Sequence, residues 1–179
     1  MIHLASVSLA TVLPLIALAV TTAGGVVTWW ANGIRSERAR LQTLYADAYA
    51  AVVSYQEFPF MIRRRRTPLP GHEEIANDER IRIADALQAV QEKLSNYTAQ
   101  IKAESTEVSA KYDVLVHETR LIAGSYMREA WKAPPLDNDA GMNISDINYD
   151  ALKQPQTDYL DAMKDNLRFR RVAFVRLRT

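Results

Sequence analysis

The chain has 179 residues, 22 basic and 21 acidic, for a formal net charge of +1. That length allows one domain of ordinary size, and so small a net charge supplies no global attraction to nucleic acid. The absence of cysteine removes disulfides, thiolate chemistry and cysteine-ligated zinc together.

Residues 4–31, LASVSLATVLPLIALAVTTAGGVVTWWA, contain no Asp, Glu, Lys or Arg. As a helix they would span about 42 Å, against a hydrocarbon core of about 30 Å. A cleaved signal peptide would carry a basic n-region and an apolar core of about 7–15 residues. Here Met-Ile-His precedes an apolar run about twice that long, so an uncleaved anchor over residues 1–33 is expected. Arg35, Arg38 and Arg40 follow the span, and only the α-amine and His3 precede it. Positive charge stays on the cytoplasmic side, which predicts a single-pass protein of a bacterial inner membrane with its N-terminus outside and its C-terminal domain cytoplasmic. Trp29 and Trp30 then stand in the interfacial aromatic belt, with Arg35 and Arg38 completing the anchor. The small-xxx-small pair Ala19/Ala23, with Gly25 beside it, marks a candidate self-association face and a possible homo-oligomer.

Beyond the span, Ile34, Leu41, Leu44/Tyr45, Ala48, Val52, Tyr55 and Phe58 recur in steps of three and four, the stripe of a helix with one buried face. The reading is one helix running out of the bilayer over 34–62, with a hinge admitted at Asn32-Gly33. Arg63, Arg64, Arg65 and Arg66 follow, and Pro68, Pro70 and Gly71 end any helix there. Ile83, Leu87, Val90, Leu94, Tyr97 and Ile101 form a second seam, and Val108, Tyr112, Leu115, Thr119, Ile122 and Tyr126 a third. They admit one long helix. Ser105, a good N-cap, favours separate helices at 74–103 and 106–132.

Pro134-Pro135 stops the third helix, and 133–155 reads as an acidic loop. Residues 156–179 form a basic amphipathic helix with Leu160, Met163, Leu167, Phe174 and Leu177 at helical spacing. Residues 134–165 hold seven Asp and two Lys, whereas 166–179 hold five arginines (Arg168, Arg170, Arg171, Arg176 and Arg178) and no acid. The expected fold is therefore all-α, a transmembrane helix continuing into an antiparallel three- to four-helix bundle. Arg63–Arg66 would sit at the end away from the bilayer. The arginine tail would lie near the inner leaflet, where membrane lipid is a candidate partner.

The search for chemistry returns nothing specific. His72 beside Glu73 and Glu74 lacks the spacing of a metal site, His117 is read as a surface or seam-edge residue, and no nucleophile elbow or glycine-rich phosphate loop is present. No catalytic residue, cofactor or metal is expected. The RRRR run lacks interleaved aromatics and a base-reading motif, so nucleic acid is disfavoured. It is read as complementing the negative C-terminal end of a helix dipole and docking an acidic protein surface. The expected function is non-enzymatic, an adaptor or regulatory interaction module contacting an unknown protein partner through the two arginine clusters. The alternative is an oligomerising membrane-active effector of the toxin, stress or phage-exclusion type.

Overall fold

The computed structural model describes residues 9–66, 73–136 and 147–176, and within them the side chains of all but 9–28, 30, 31, 73 and 169–176. Among the described residues the chain is all-α. Its helices are α1 (Leu9–Gln56), α2 (Phe58–Arg63), α3 (Glu73–Glu104), α4 (Thr106–Lys132) and α5 (Lys153–Arg176), with a 3₁₀ turn at Asp150–Leu152 before α5. The chain divides into two units, Met1–Leu41 and Gln42–Thr179, and α1 contributes to both.

In the first unit, α1 is helical through Asn32-Gly33, where a hinge had been admitted. The glycine penalty is about 1 kcal/mol, and the flanking helix formers outweigh it. An Arg40–Glu37 pair of 2.8 Å lies one turn further along. Among the described residues no helix is long and apolar enough to cross a membrane. The span expected at 4–31 falls on residues 4–8, which lie outside the described residues, and on α1 positions whose side chains, that of Trp29 apart, also do.

The second unit holds the core. The helix expected over 34–62 is interrupted. α1 ends at Gln56 and α2 begins at Phe58, with Pro59 in its first turn. Proline has no N–H for the Tyr55 carbonyl, its ring crowds that carbonyl, and it biases Phe58 away from helical geometry. The apolar side chains still turn inward, because Tyr55, Phe58, Phe60 and Ile62 are all buried.

α3 and α4 are separated by a single residue. Ser105 is extended, and its hydroxyl accepts from the Val108 N–H at 3.3 Å. Its own N–H donates to the Ile101 carbonyl at 2.8 Å, so one residue closes α3 and caps α4.

α4 is the central helix, packed against α2, α3 and α5. Its buried arc is therefore wider than one seam. Val108, Tyr112, Leu115 and Thr119 are buried as the spacing predicts, and Ser109, Val116, Ala123, Met127 and Ala130 are buried beside them. Ile122 and Tyr126 remain partly exposed. α3 lies at the edge. Ile83, Leu94 and Ile101 are buried, whereas Leu87, Val90 and Tyr97 are only partly covered.

The acidic loop expected over 133–155 is shorter at its C-terminal end. Asn148 Oδ1 accepts from the Asp150 N–H at 2.7 Å, which starts the 3₁₀ turn, and α5 follows from Lys153. Pro155 sits in the first turn of α5, where its missing N–H has no acceptor to lose. The inward face of α5 is rotated from the expected one. Leu152, Tyr159, Ala162 and Leu167 are buried, while Leu160 and Met163 flank them half-buried. The Phe174 side chain and Leu177 lie outside the described residues.

Tyrosines bind α5 and α4 to α1. The Tyr159 hydroxyl donates to the Tyr45 carbonyl at 2.9 Å, and the Tyr112 hydroxyl to the Ala48 carbonyl at 3.1 Å. Tyr45 in turn donates to Asn166 Oδ1 at 3.1 Å, and Tyr149 to the Gln56 carbonyl at 2.8 Å. A helical carbonyl has two lone pairs, so it accepts a phenol beside its own N–H partner. The Tyr49 and Tyr159 rings stack at 6.4 Å between centroids, and Tyr112 meets Tyr159 at 5.4 Å. These contacts show that α5 runs antiparallel to α1, because Tyr149 reaches Gln56 while Tyr159 and Asn166 reach Tyr45.

Candidate functional site

At the end of the second unit where α2 and α4 stop, the arginine run is used in two ways. Arg65 reaches across to the C-terminus of α4. Its guanidinium donates to the carbonyls of Ala130 at 2.9 Å and Ala133 at 2.7 Å, and to that of Ile62 in α2 at 3.0 Å. The last turn of a helix leaves carbonyls without intrahelical partners, and the five donors of one guanidinium suit them. Arg63 donates to the Pro134 carbonyl at 3.2 Å, and its own carbonyl accepts from the Leu136 N–H at 2.9 Å. Arg65 thus serves the C-terminal carbonyls of α4 together with one of α2, the helix that it follows. Burial, and then the neighbouring Arg63, push Arg65 below the usual guanidinium range.

Arg64 and Arg66 are exposed. Trp131, in the last turn of α4, has Arg65 over its ring at 5.2 Å and Arg80 of α3 at 6.0 Å. Trp131 keeps 38% of its surface exposed. Arg82 pairs with Glu79 through two bonds of 2.9 Å, which hold the Glu79 carboxyl below the usual range. Arg66 adds a weaker effect in the same direction. Trp131 and Arg80 were not singled out in the sequence. An aromatic in a last helical turn beside arginines was the available signal, but the pairing of α3 with α4 is what joins them.

Trp29 is 76% exposed on α1, and Arg35 and Arg38 are exposed further along it. Ala19, Ala23, Gly25 and Trp30 lie on the α1 backbone with side chains outside the described set. Arg168 is exposed on α5. Arg170, Arg171 and Arg176 are on that helix with side chains outside the described set, and Arg178 lies beyond the described residues. His3 and His72 also fall outside, and His117 is exposed on α4.

Elsewhere, a cleft of about 500 Å³ opens between α4 and the start of α5, lined by Leu121, Ile122, Tyr126, Glu129, Asn148 and Asp150. Among the described residues no group of three His, Cys, Asp or Glu side chains is placed to hold a metal ion. Burial pushes the phenols of Tyr112, Tyr149 and Tyr159 above the ordinary range, and their hydroxyls are engaged with carbonyls. The described residues form a helical bundle that carries basic and aromatic side chains at this end. Comparisons with protein-family models, curated proteins and solved structures find no match to the chain.

Proposed function

We propose that the chain is a non-enzymatic single-pass membrane protein that serves as an adaptor or regulatory module. In this reading residues 4–31 cross the inner membrane with the N-terminus outside, and the bundle is the cytosolic part that meets a protein partner. The charge-free stretch at 4–31, with Trp29 and Trp30 near its end and Arg35 and Arg38 after it, supports the tether. The observation that carries the interaction role is the arginine end. Arg63 and Arg65 spend their donors on neutral carbonyls, and Arg66, Arg80 and Arg128 are exposed beside them. A bundle surface of this kind is suited to recognition through charge and shape.

The test has two arms. The full chain should stay with membranes through alkaline carbonate washing, and protease added outside intact cells should leave the bundle uncut. Purified from solubilised membranes, it should bring down a defined partner that Arg64→Glu/Arg66→Glu loses. Recovery in the soluble fraction would overturn the tether, and an identical set of co-purifying proteins with both forms would overturn the adaptor role. Depolarisation of the cells on expression, abolished by Ala23→Leu, would instead establish the oligomerising membrane-active effector.

A further inference from the structure

Residues 63–66, 78–82 and 128–132 meet at one end of the bundle and carry eight basic and three acidic side chains. One of the acids, Glu79, is held by Arg82. The exposed cations there are Arg64, Arg66, Arg80, Arg82, Arg128 and Lys132, with Arg82 paired to Glu79. Among them stands the partly exposed Trp131, with two guanidiniums over its ring.

Tryptophan and arginine are the residues that most often dominate binding energy at protein interfaces. Here the pair is already ordered. Arg65 is fixed by carbonyls of two helices, and Trp131 is fixed by Arg65, so little side-chain freedom remains to be lost on association. The two guanidiniums occupy the π surface that a stacked nucleobase would need. What the surface offers is a partly exposed indole beside cationic donors. We propose that it docks an acidic, Asp/Glu-rich segment of a partner protein, with carboxylates taking Arg66, Arg80 and Arg128 and an apolar side chain lying against Trp131. The inference rests on the adaptor reading of this end and specifies the partner's chemistry.

The experiment uses the full chain in neutral detergent micelles and fluorescence anisotropy. The probe is a fluorescein-labelled twelve-residue peptide of glutamates with two central leucines. A glutamine counterpart and a dT oligonucleotide of equal length serve as comparisons. The glutamate peptide should bind, and the other two should bind at least about tenfold more weakly. Affinity should fall several-fold between about 50 and about 200 mM salt. Arg66→Glu/Arg80→Glu/Arg128→Glu should weaken binding by about tenfold or more, and Trp131→Ala by about tenfold. Trp131→Phe keeps a ring for the cations and should bind within about threefold of the wild type. It decides the matter if Trp131→Ala fails to fold.

Absence of peptide binding, tighter binding of the oligonucleotide, or indifference to both the arginine and the tryptophan variants would overturn the inference. Co-purifying partners lost on Arg64→Glu/Arg66→Glu, together with no peptide binding, would remove it and leave the adaptor reading in place. Peptide binding alongside partners indifferent to those substitutions would do the reverse.

Discussion

Replacing Arg65 with alanine removes the side chain that joins α2 to the end of α4. The wild-type guanidinium gives three bonds of 2.7–3.0 Å to the Ile62, Ala130 and Ala133 carbonyls, and lies 5.2 Å from the Trp131 centroid. A hydrogen bond to a charged group contributes about 1.5–3 kcal/mol. Three bonds from one guanidinium do not sum, and the half-buried carbonyls regain some water in the variant. A loss of about 2 kcal/mol from the bonds and about 0.5–1 kcal/mol from the ring contact is expected. In a chain of this size that corresponds to a fall in melting temperature of about 5–12 °C. Arg65→Lys keeps the charge but presents one compact ammonium in place of a planar fork, and should lose about half as much. Thermal melts of the full chain in detergent, followed by circular dichroism at 222 nm, provide the measurement, with Arg128→Ala as an exposed comparison expected within about 0.5 kcal/mol of wild type. If Arg65→Ala melts with the wild type, buried Phe58, Phe60 and Ile62 hold α2 to α4 without the clasp, and the reasoning fails.

Tyr159→Phe should cost about 1 kcal/mol, since it deletes only the bond to the Tyr45 carbonyl, and Tyr159→Ala about 3–5 kcal/mol, since the ring is fully buried; equal denaturation midpoints for the two variants would contradict this. Ser105→Ala should cost about 1 kcal/mol by uncapping α4, whereas glycine should cost only a few tenths. Thr119 buries a hydroxyl that finds no partner among the described residues, so Thr119→Val should raise the melting temperature by about 2–4 °C, and a fall would show that the hydroxyl is satisfied after all. The raised phenols of Tyr112, Tyr149 and Tyr159 set a direction for alkaline pH. Their contribution to stability is complete below the unfolded tyrosine value near 10 and is lost progressively as pH rises above it, because only the unfolded chain ionises readily there. Absorbance at 295 nm should therefore show a fraction of phenolate appearing only together with loss of helix; full titration near pH 10 in the folded chain would refute the burial.

The candidate site was legible in part. Arg63–Arg66 is conspicuous in the chain, and so is the idea that it answers a helix dipole. Which dipole it answers is a tertiary fact. Periodicity ranks residues by their position on their own helix and carries no information about another helix ending beside them. Arg80 and Trp131 are fifty-one positions apart and meet only because α3 and α4 pack as an antiparallel pair.

The sequence by itself determined the class of the protein. Steps of three and four between apolar residues require helices with one covered face, Ser105 supplies an oxygen where a helix must start, and the prolines at 134 and 135 deny α4 a continuation. These are local effects, felt within one or two turns of backbone. Tertiary structure decided what local effects leave degenerate. α4 occupies the centre, so it buries an arc wider than its own seam. α5 turns Tyr159 inward in place of Leu160, because a phenol that reaches a carbonyl of α1 combines burial with a hydrogen bond. Arg65 closes the end of α4, since the carbonyls it satisfies come together only once the bundle has formed.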